Sequence, residues 1–390
     1  MADAPDGAAV SPLRLRAAPG ALKEVAYLFL RLGSTAFGGP AAHIAMMEDE
    51  VVRRRRWLSR EEFLDLLGAT NLIPGPNSTE MAIHIGRRRA GGIGLVAAGL
   101  AFILPAAIIT LAAAWTYTHF GTLPQAAAVL YGVKPVVIAI VAQALWSLAR
   151  TAVKTRLLAA VGLAATVANF LGANEIALLA VAGIVVALAG TGARAFAASA
   201  PLVKIAAAPA TAIGATFSLG GLFLFFVKVG AVLFGSGYVL LAFLRADLVD
   251  RWHWLSEAQL LDAIAVGQIT PGPVFTTATF IGYLLGGTRG ALVATLGIFL
   301  PAFVFVTATA PLIPRLRRSP TAGAFLDGVN VASLALLVVV TWRLARVALV
   351  DMPAAALAAC AAVLLARFRL NSAWLVLGGA LAGLTVHGTS

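Results

Sequence analysis

Long apolar runs that are almost free of charge recur along this chain, and they restrict its fold more than any other feature. Residues 93–114 and 291–313 carry no charged side chain, and each run is long enough for an α-helix to cross about 30 Å of hydrocarbon. With 60% apolar and 12% charged residues, the chain has too little polar surface for a soluble domain. The runs also lack the period-two alternation of a β-barrel. We therefore expect an all-α integral membrane protein with several crossings.

The net charge of +12 is compatible with nucleic-acid binding or with basic loops in the cytoplasm. Because the basic residues lie between the apolar runs, we expect membrane lipid as a partner and no nucleic acid.

The single cysteine, Cys360, excludes an intrachain disulfide and a cysteine-based metal site, and no cofactor is expected. The sequence has no HExxH, GxSxG or P-loop motif, so we expect a carrier rather than an enzyme. Residues 1–21 are expected to form a flexible tail rather than a secretion signal.

The chain contains an internal duplication. An offset of 197 residues aligns Trp57-Leu58-Ser59 with a second Trp-Leu-Ser at 254–256, and Pro74-Gly75-Pro76 with Pro271-Gly272-Pro273. After one deletion the offset becomes 196, and further matches continue as far as Arg150 with Arg346. We therefore predict two homologous repeats, residues 22–194 and 219–386, joined by a linker at 195–218.

The Pro-Gly-Pro segment of each repeat predicts a re-entrant hairpin. Pro74 and Pro76 forbid a continuous helix, and Asn77, Ser78 and Thr79 are favourable residues at which a new helix can begin. The helices predicted on either side, 59–73 and 77–86, would be about 22 and 15 Å long, too short to cross a bilayer. Each half is thus expected to contain about five transmembrane helices plus a re-entrant hairpin with Pro-Gly-Pro at its tip.

The distribution of basic residues predicts that the second half is inverted. A re-entrant hairpin places most Lys and Arg residues on one face, including the arginines at 53–56 and 87–89, and it leaves Lys23, Arg245 and Arg251 on the other. The positive-inside rule favours this arrangement. Since each half then makes an odd number of crossings, the halves form an inverted repeat, an architecture of secondary transporters. Two parallel halves of six crossings are the alternative.

The interrupted segments predict an anion site. Unwound backbone at membrane depth must face protein or a water-filled cavity, and helices that restart there direct free N–H groups toward the cavity. For Asn77 and Ser78, simple helix capping is the alternative. The predicted ligands are Gly38, Gly39, Pro74, Gly75, Pro76, Asn77, Ser78 and Thr79 from the first half, and Gly235, Ser236, Pro271, Gly272, Pro273 and Thr276 from the second.

Two cations and two titratable residues extend this prediction. Arg31 and Lys228 are equivalent by the 197 offset, and each precedes its glycine break by seven residues. A cation in a bilayer helix costs about 2.5–3.5 kcal/mol, so the matched pair indicates anion binding, although snorkelling to the interface explains it equally well. Glu80 and His43 are candidates for proton coupling. Alternatively, Glu80 pairs with Arg31 or a histidine, and His43 is a core side chain with one hydrogen bond.

The segments Phe37-Gly38-Gly39-Pro40, Trp57-Leu58-Ser59 and PGPNS at 74–78, partly repeated in the second half, resemble the chromate ion transporter family of bacterial inner-membrane proteins. The resemblance covers both halves. It implies a multi-pass inner-membrane secondary transporter that exports chromate and confers resistance, with sulfate as a structural analogue. In the second half, Ser236-Gly237 replaces Gly39-Pro40 and Val274-Phe275 replaces Asn77-Ser78. We therefore expect the first half to hold most of the substrate contacts.

The residues alone predict an oxyanion site, because amides, hydroxyls and cations can replace water around such an ion. The tetrahedral dianions chromate and sulfate, which the resemblance implies, fit it. The residues do not distinguish chromate from sulfate, and chromate follows only from the resemblance. The alternatives are a transporter of sulfate or another oxyanion, an anion channel, and a membrane scaffold. A homodimer is left open by the sequence.

Overall fold

A computed structural model of the chain describes residues 20–121, 123–191, 216–234, 237–309, 319–368 and 370–387. Nearly all of the predicted tail and linker lies outside these residues. Within them each half has seven α-helices and no strand. The first half contains α1 Ala21–Thr35, α2 Gly39–Glu48, α3 Arg60–Thr70, α4 Asn77–Phe120, α5 Pro124–Ala152, α6 Arg156–Phe170 and α7 Glu175–Thr191. The second contains α8 Leu219–Val232, α9 Leu240–Leu244, α10 Glu257–Ile269, α11 Thr277–Thr309, α12 Pro320–Ala348, α13 Met352–Phe368 and α14 Ser372–His387.

Four helical segments in this part of the chain are long and apolar enough to cross a membrane: Asn77–Phe120, Pro124–Ala152, Val274–Thr309 and Pro320–Ala348. They form two equivalent pairs, which confirms an all-helical, multi-pass membrane protein. The shorter apolar helices have 10–17 residues and are at most about 26 Å long. The described ranges therefore contain two helices of at least 18 residues per half, and the five crossings expected for each half stay a prediction.

Helix α4 consists of two antiparallel arms. Its backbone leaves the helical region at Ala90 (φ −137°) and Gly91 (φ +67°). The arms can approach closely because Gly86 on the first faces Gly94 on the second. Helix α11 bends in the same way at Gly286 and Gly287. The arm after Pro-Gly-Pro is therefore short, residues 77–89, and residues 92–120 form the long arm.

Helix α3 and the short arm of α4 form a hairpin around Pro-Gly-Pro. Near the bend, Asn77 Nδ2 donates to Asn71 Oδ1 (3.0 Å). At the other ends of the two arms, Arg88 Nη2 lies 2.8 Å from Glu62 Oε1. Helix α3 begins with a capping box in which Ser59 and Glu62 exchange side-chain and backbone hydrogen bonds. Helix α3 and the short arm of α4 are therefore antiparallel, and their outer ends lie side by side.

Helices α1 and α2 also turn back on each other, which corrects the expectation that Lys23 lies on the face opposite the arginines at 53–56 and 87–89. Arg89 donates to Glu24 near the start of α1 (2.7 Å), and its guanidinium lies 5.2 Å from the ring centroid of Trp57, which follows α2. Residue 23 thus lies at the same end as residue 57, not on the opposite face. The break reverses the chain because Gly38 and Gly39 both have positive φ (105° and 76°).

We call this end, marked by Glu24, Trp57 and Arg89, the Trp57 end. The second half repeats the arrangement at its own end, where the Phe217 ring lies 5.3 Å from the ring of Trp254 in a T-shaped contact. Because Trp254 is the equivalent of Trp57, we call this second end the Trp254 end.

The two halves pack around an approximate twofold axis. The equivalent helices α5 and α12 are antiparallel, since the Tyr131 hydroxyl donates to Asp351 (2.7 Å) at the start of α5 and Lys154 pairs with Asp327 (2.8 Å) beyond its end. Helix α7 packs on α12 and α14 packs on α5. The last helix of each half therefore covers the fifth helix of the other.

Candidate functional site

The chain breaks of the two halves meet. We call residues 36–39 and 233–237 the glycine bends and residues 74–76 and 271–273 the PGP bends. Gly75 N–H donates to Leu233 O and Gly272 N–H donates to Ala36 O, each over 2.8 Å. Both donors and both acceptors are equivalent by the 197 offset, so the exchange is reciprocal. Gly235 and Ser236, two of the predicted ligands, lie outside the described residues.

The reciprocal contact requires glycine. Gly75 and Gly272 have φ of 139° and 88°, a region that L-residues rarely adopt. A Cβ atom on Gly272 would lie 2.9 Å from both the Ala106 Cβ atom and the Gly33 carbonyl oxygen. The positive φ and the close neighbouring atoms therefore both disfavour a side chain at Gly272. The prolines on either side restrict the backbone of the bend.

A cavity of about 1020 Å³ lies against the bends. Four of the predicted ligands line it: Gly38, Pro76, Asn77 and Ser78. At the positions equivalent to Asn77 and Ser78, the second half contributes Val274 and Phe275. The remaining described candidates of the bends are not among its lining residues: Gly39, Pro74, Gly75, Thr79, Pro271, Gly272, Pro273 and Thr276.

Two helix N-termini open onto this cavity. Gly38 is the N-cap residue of α2 and Pro76 is the N-cap residue of α4, and neither makes a side-chain capping hydrogen bond. The start of α4 at Asn77 is where the sequence predicts it. Asn77 does not act as a cap, because its amide donates to Asn71. The first-turn N–H groups of α4, those of α2 other than at Pro40, which has none, and the positive ends of both helices are therefore available to an anion.

Behind the lining layer lies a set of buried polar atoms without partners. The Thr79 hydroxyl and both carboxyl oxygens of Glu80 are fully buried, and none has a hydrogen-bond partner in the described part of the chain. A Cβ atom on Gly75 would touch the Glu80 carboxyl. Glu80 therefore pairs with neither Arg31 nor a histidine, and it sits directly behind the first PGP bend.

The equivalent cations Arg31 and Lys228 are ion-paired. Arg31 Nη2 lies 2.5 Å from Glu50 Oε1, and Lys228 pairs with Asp247. Glu50 and Asp247 are themselves equivalent by the 197 offset, a signal that was available in the sequence. Both acids lie on short π-helical turns, Asp49–Arg54 and Arg245–Arg251. The pairs join the first helix of each half to its π-helical turn, and neither cation is among the residues that line the cavity.

His43 supports a glycine bend. Its Nε2 lies 3.0 Å from Ala36 O, the carbonyl that also accepts from Gly272, and its ring centroid is 5.6 Å from that of Phe102. His43 is 1% exposed. Its environment is that of a core histidine with one hydrogen bond.

Sequence reasoning missed several polar residues that line the cavity. Gln143 and Ser147 are one turn apart on α5, Tyr238 follows the second glycine bend, and Asn371 precedes α14. Spacing along α5 places Gln143 and Ser147 on one face, but only packing against the bends turns that face toward the cavity.

The cavity extends toward one end of the molecule. It adjoins a second cavity of about 420 Å³ that shares Asn77 and Leu148 with it and is also lined by Lys154 and Asp327. A separate cavity of about 340 Å³, lined by Arg245, Arg251, Arg343 and others, shares no lining residue with the first. Its lining residues Leu336, Val339, Val340 and Arg343 are equivalent by the 196 offset to Ile140, Gln143, Ala144 and Ser147 of the first cavity. The two cavities therefore occupy equivalent positions, but only the larger one reaches the bends, and its path from them runs toward the Trp57 end.

Comparison with known proteins identifies the relatives of this chain. The sequence model of the chromate transporter family matches residues 23–191 and 220–384. A chromate transport protein of Cupriavidus metallidurans is 34% identical over 94% of this chain and 93% of its own. A probable chromate transport protein of Synechococcus elongatus is 34% identical over 85% and 86%, and a chromate transport protein of Pseudomonas aeruginosa is 33% identical over 82% and 80%. No solved structure matches the chain.

Proposed function

The chain belongs to the chromate transporter family, and from this premise we propose that it is a secondary transporter that exports chromate across the bacterial inner membrane and so confers resistance. The observation that carries the proposal is the cavity beside the bends, onto which the uncapped N-termini of α2 and α4 open. Two helix ends with free N–H groups form a site for an anion rather than for a cation or an apolar molecule.

The lining of the cavity suits a tetrahedral dianion. Backbone N–H groups, the Asn77 amide and the Ser78 hydroxyl are donors that can replace the water around chromate oxygens. Hydrogen bonds to charged groups contribute about 1.5–3 kcal/mol each, so a few of them offset the loss of hydration. The glycines and prolines of the bends shape this site, and the amide and hydroxyl donors contact the ion.

The proposal includes an inverted arrangement of the halves. Helices α5 and α12 are equivalent in the repeat and antiparallel in space, a relationship supported by the Tyr131–Asp351 and Lys154–Asp327 contacts. If both helices cross the bilayer, the approximate twofold axis lies in the membrane plane. The second half is then upside down relative to the first, as in many secondary transporters.

The short helices of each half are proposed to enter the membrane and return. In the first half, α1 begins near Glu24, α2 leads to Trp57 and the short arm of α4 ends at Arg89, all at the Trp57 end. Both helix pairs would therefore place their bends at membrane depth. Unwound backbone is tolerated there only where it lines a polar cavity, and the bends lie against one.

Charge assigns the Trp57 end to the cytoplasm under the positive-inside rule. Among the described residues, the basic side chains that the helix directions place toward the Trp57 end include Lys23, Arg53, Arg54, Arg55, Arg56, Arg60, Arg87, Arg88, Arg89, Arg150, Lys154 and Arg156. Those of the Trp254 end are Arg245, Arg251, Arg289, Arg343 and Arg346. Because the path from the bends runs toward the Trp57 end, this conformation would load its anion from the cytoplasm, which supports export.

We assign the coupling role to Glu80. Its carboxyl is fully buried behind the first PGP bend and has no partner among the described residues, and an isolated ionised carboxyl in such a place costs several kcal/mol. Proton binding at Glu80 and anion binding at the bend would therefore influence each other. His43, with its single hydrogen bond to Ala36, would stabilise the bend.

The test is uptake of radiolabelled chromate into everted membrane vesicles, whose cytoplasmic face is outward. Accumulation above the external concentration, absent from vesicles without the protein, is expected. Uptake that only reaches equilibrium would indicate an anion channel, and no uptake would overturn the proposal. Increasing amounts of sulfate added with the chromate measure the preference between the two dianions, and inhibition by sulfate at the same concentrations as by unlabelled chromate would identify a general oxyanion carrier.

A further inference from the structure

We propose that Gln268 is a ligand for the transported oxyanion, contributed by the second half and held in place by Tyr238. Gln268 lies one residue before the end of α10 and three residues before Pro271 of the second PGP bend. The inference rests on the proposed function and adds a donor from the half whose PGP bend carries Val274 and Phe275 in place of Asn77 and Ser78.

The amide of Gln268 is buried with its nitrogen unused. Its oxygen Oε1 accepts a hydrogen bond from the Tyr238 hydroxyl (3.3 Å). The residue is 6% exposed, and its Nε2 atom is buried with no hydrogen-bond partner in the described ranges. Buried amides are normally satisfied, because an unmet donor loses its hydration without compensation. The unmet Nε2 donors therefore favour a bound acceptor.

The position of Tyr238 links this amide to the cavity. Tyr238 lines the cavity, and a Cβ atom built on Gly39 would lie 3.5 Å from its hydroxyl oxygen. Gly39 is the first residue of α2, whose N-cap residue Gly38 also lines the cavity. Gln268 itself is not among the lining residues. One hydroxyl separates its amide from a helix N-terminus, so an anion bound at that N-terminus would lie within reach of both groups.

The repeat supports the same assignment. Gln268 is equivalent to Asn71 by the 197 offset, and Asn71 Oδ1 accepts from Asn77 Nδ2 (3.0 Å) as Gln268 Oε1 accepts from Tyr238. In each half, the oxygen of this amide is held by a donor that lines the cavity. The second half has lost the Asn77 equivalent, and Tyr238, which stands where the first half has Ala41, provides the holding donor instead.

The test is chromate binding to the purified full-length protein, measured by titration calorimetry. Gln268→Glu keeps the accepting oxygen and replaces the two N–H donors with an acceptor, and we expect affinity to fall at least roughly tenfold. Gln125→Glu, at the exposed start of α5, is the charge-matched control and should bind like the unaltered protein. Tyr238→Phe removes only the hydroxyl and should weaken binding about threefold, with Tyr27→Phe on the exposed side of α1 as its control.

A second measurement separates binding from folding. The melting temperature without anion should change little in Tyr238→Phe, whereas the rise in melting temperature on adding chromate should shrink in both variants. If Gln268→Glu does not fold, Tyr238→Phe decides. Variants that bind chromate as tightly as the unaltered protein would overturn this inference and leave the proposed function standing. Failure of the unaltered protein to bind chromate would overturn both.

Discussion

Replacing Gly272 with alanine tests whether the PGP bend of one half contacts the glycine bend of the other. Gly272 has φ of 88°, and an L-residue there costs about 1–2 kcal/mol. The added Cβ atom would lie 2.9 Å from the Ala106 Cβ atom and from Gly33 O, well inside the 3.5–4.0 Å of a normal carbon contact. Overpacking of this kind costs about 1–3 kcal/mol, and displacement of the bend also weakens the hydrogen bond to Ala36.

A second glycine with a similar φ separates the cost of the close contact from the cost of backbone strain. Gly172, in the loop between α6 and α7, has φ of 90°, and a Cβ atom added to it would meet no other atom within 4 Å. Gly172→Ala should therefore cost only the strain of about 1–2 kcal/mol. Gly272→Ala should cost about 1–3 kcal/mol more, and its chromate uptake should fall because the bend moves.

The assay is thermal unfolding of each purified variant in detergent, followed by intrinsic tryptophan fluorescence, with vesicle uptake measured in parallel. Gly272→Ala is expected to melt well below Gly172→Ala. Equal melting temperatures for the two variants, together with normal uptake by Gly272→Ala, would show that the bends of the two halves do not pack together and would refute the reasoning.

Three further predictions follow from the side chains around the bends. Lys228→Gln should lower the melting temperature, since it leaves Asp247 with less compensation, and adding Asp247→Asn should recover part of the loss without changing chromate affinity. An affinity loss that persists in the double variant would assign Lys228 to the anion instead. Ser78→Ala should weaken chromate binding about threefold to tenfold, as measured by calorimetry, and unchanged binding would remove Ser78 from the site. Glu80→Gln should retain chromate exchange across vesicles but lose its response to an imposed pH gradient, and a normal response would exclude Glu80 as the coupling residue.

Local constraints made the breaks in this fold predictable. Two prolines in three residues cannot lie within a helix, so the interruption at residues 74–76 and the start of α4 at Asn77 follow from covalent structure. The reversal of chain direction between α1 and α2 was not predictable, because a glycine pair permits a kinked helix as well as a reversal. The contacts that fix this reversal join Arg89 to Glu24 and Trp57, and both residues are far from Arg89 in the sequence.

The candidate site was predictable only in part, for the same reason. Gly38, Pro76, Asn77 and Ser78 line the cavity because they belong to breaks that the sequence marks. Gln143 lies on a regular helix and reaches the cavity only through packing of α5 against the bends. The partners of Arg31 and Lys228 were hidden by sequence distance, although the equivalence of Glu50 and Asp247 under the repeat could have identified them.

Side-specific labelling tests the central claim most directly, namely that two inverted halves bring their bends to a shared cavity. In a Cys360→Ser background, Arg55→Cys at the Trp57 end and Arg251→Cys at the Trp254 end would be labelled with a membrane-impermeant maleimide in right-side-out and everted vesicles. We expect Arg251→Cys to react in right-side-out vesicles and Arg55→Cys to react in everted ones. Reaction of both cysteines from the same side would contradict the inverted arrangement.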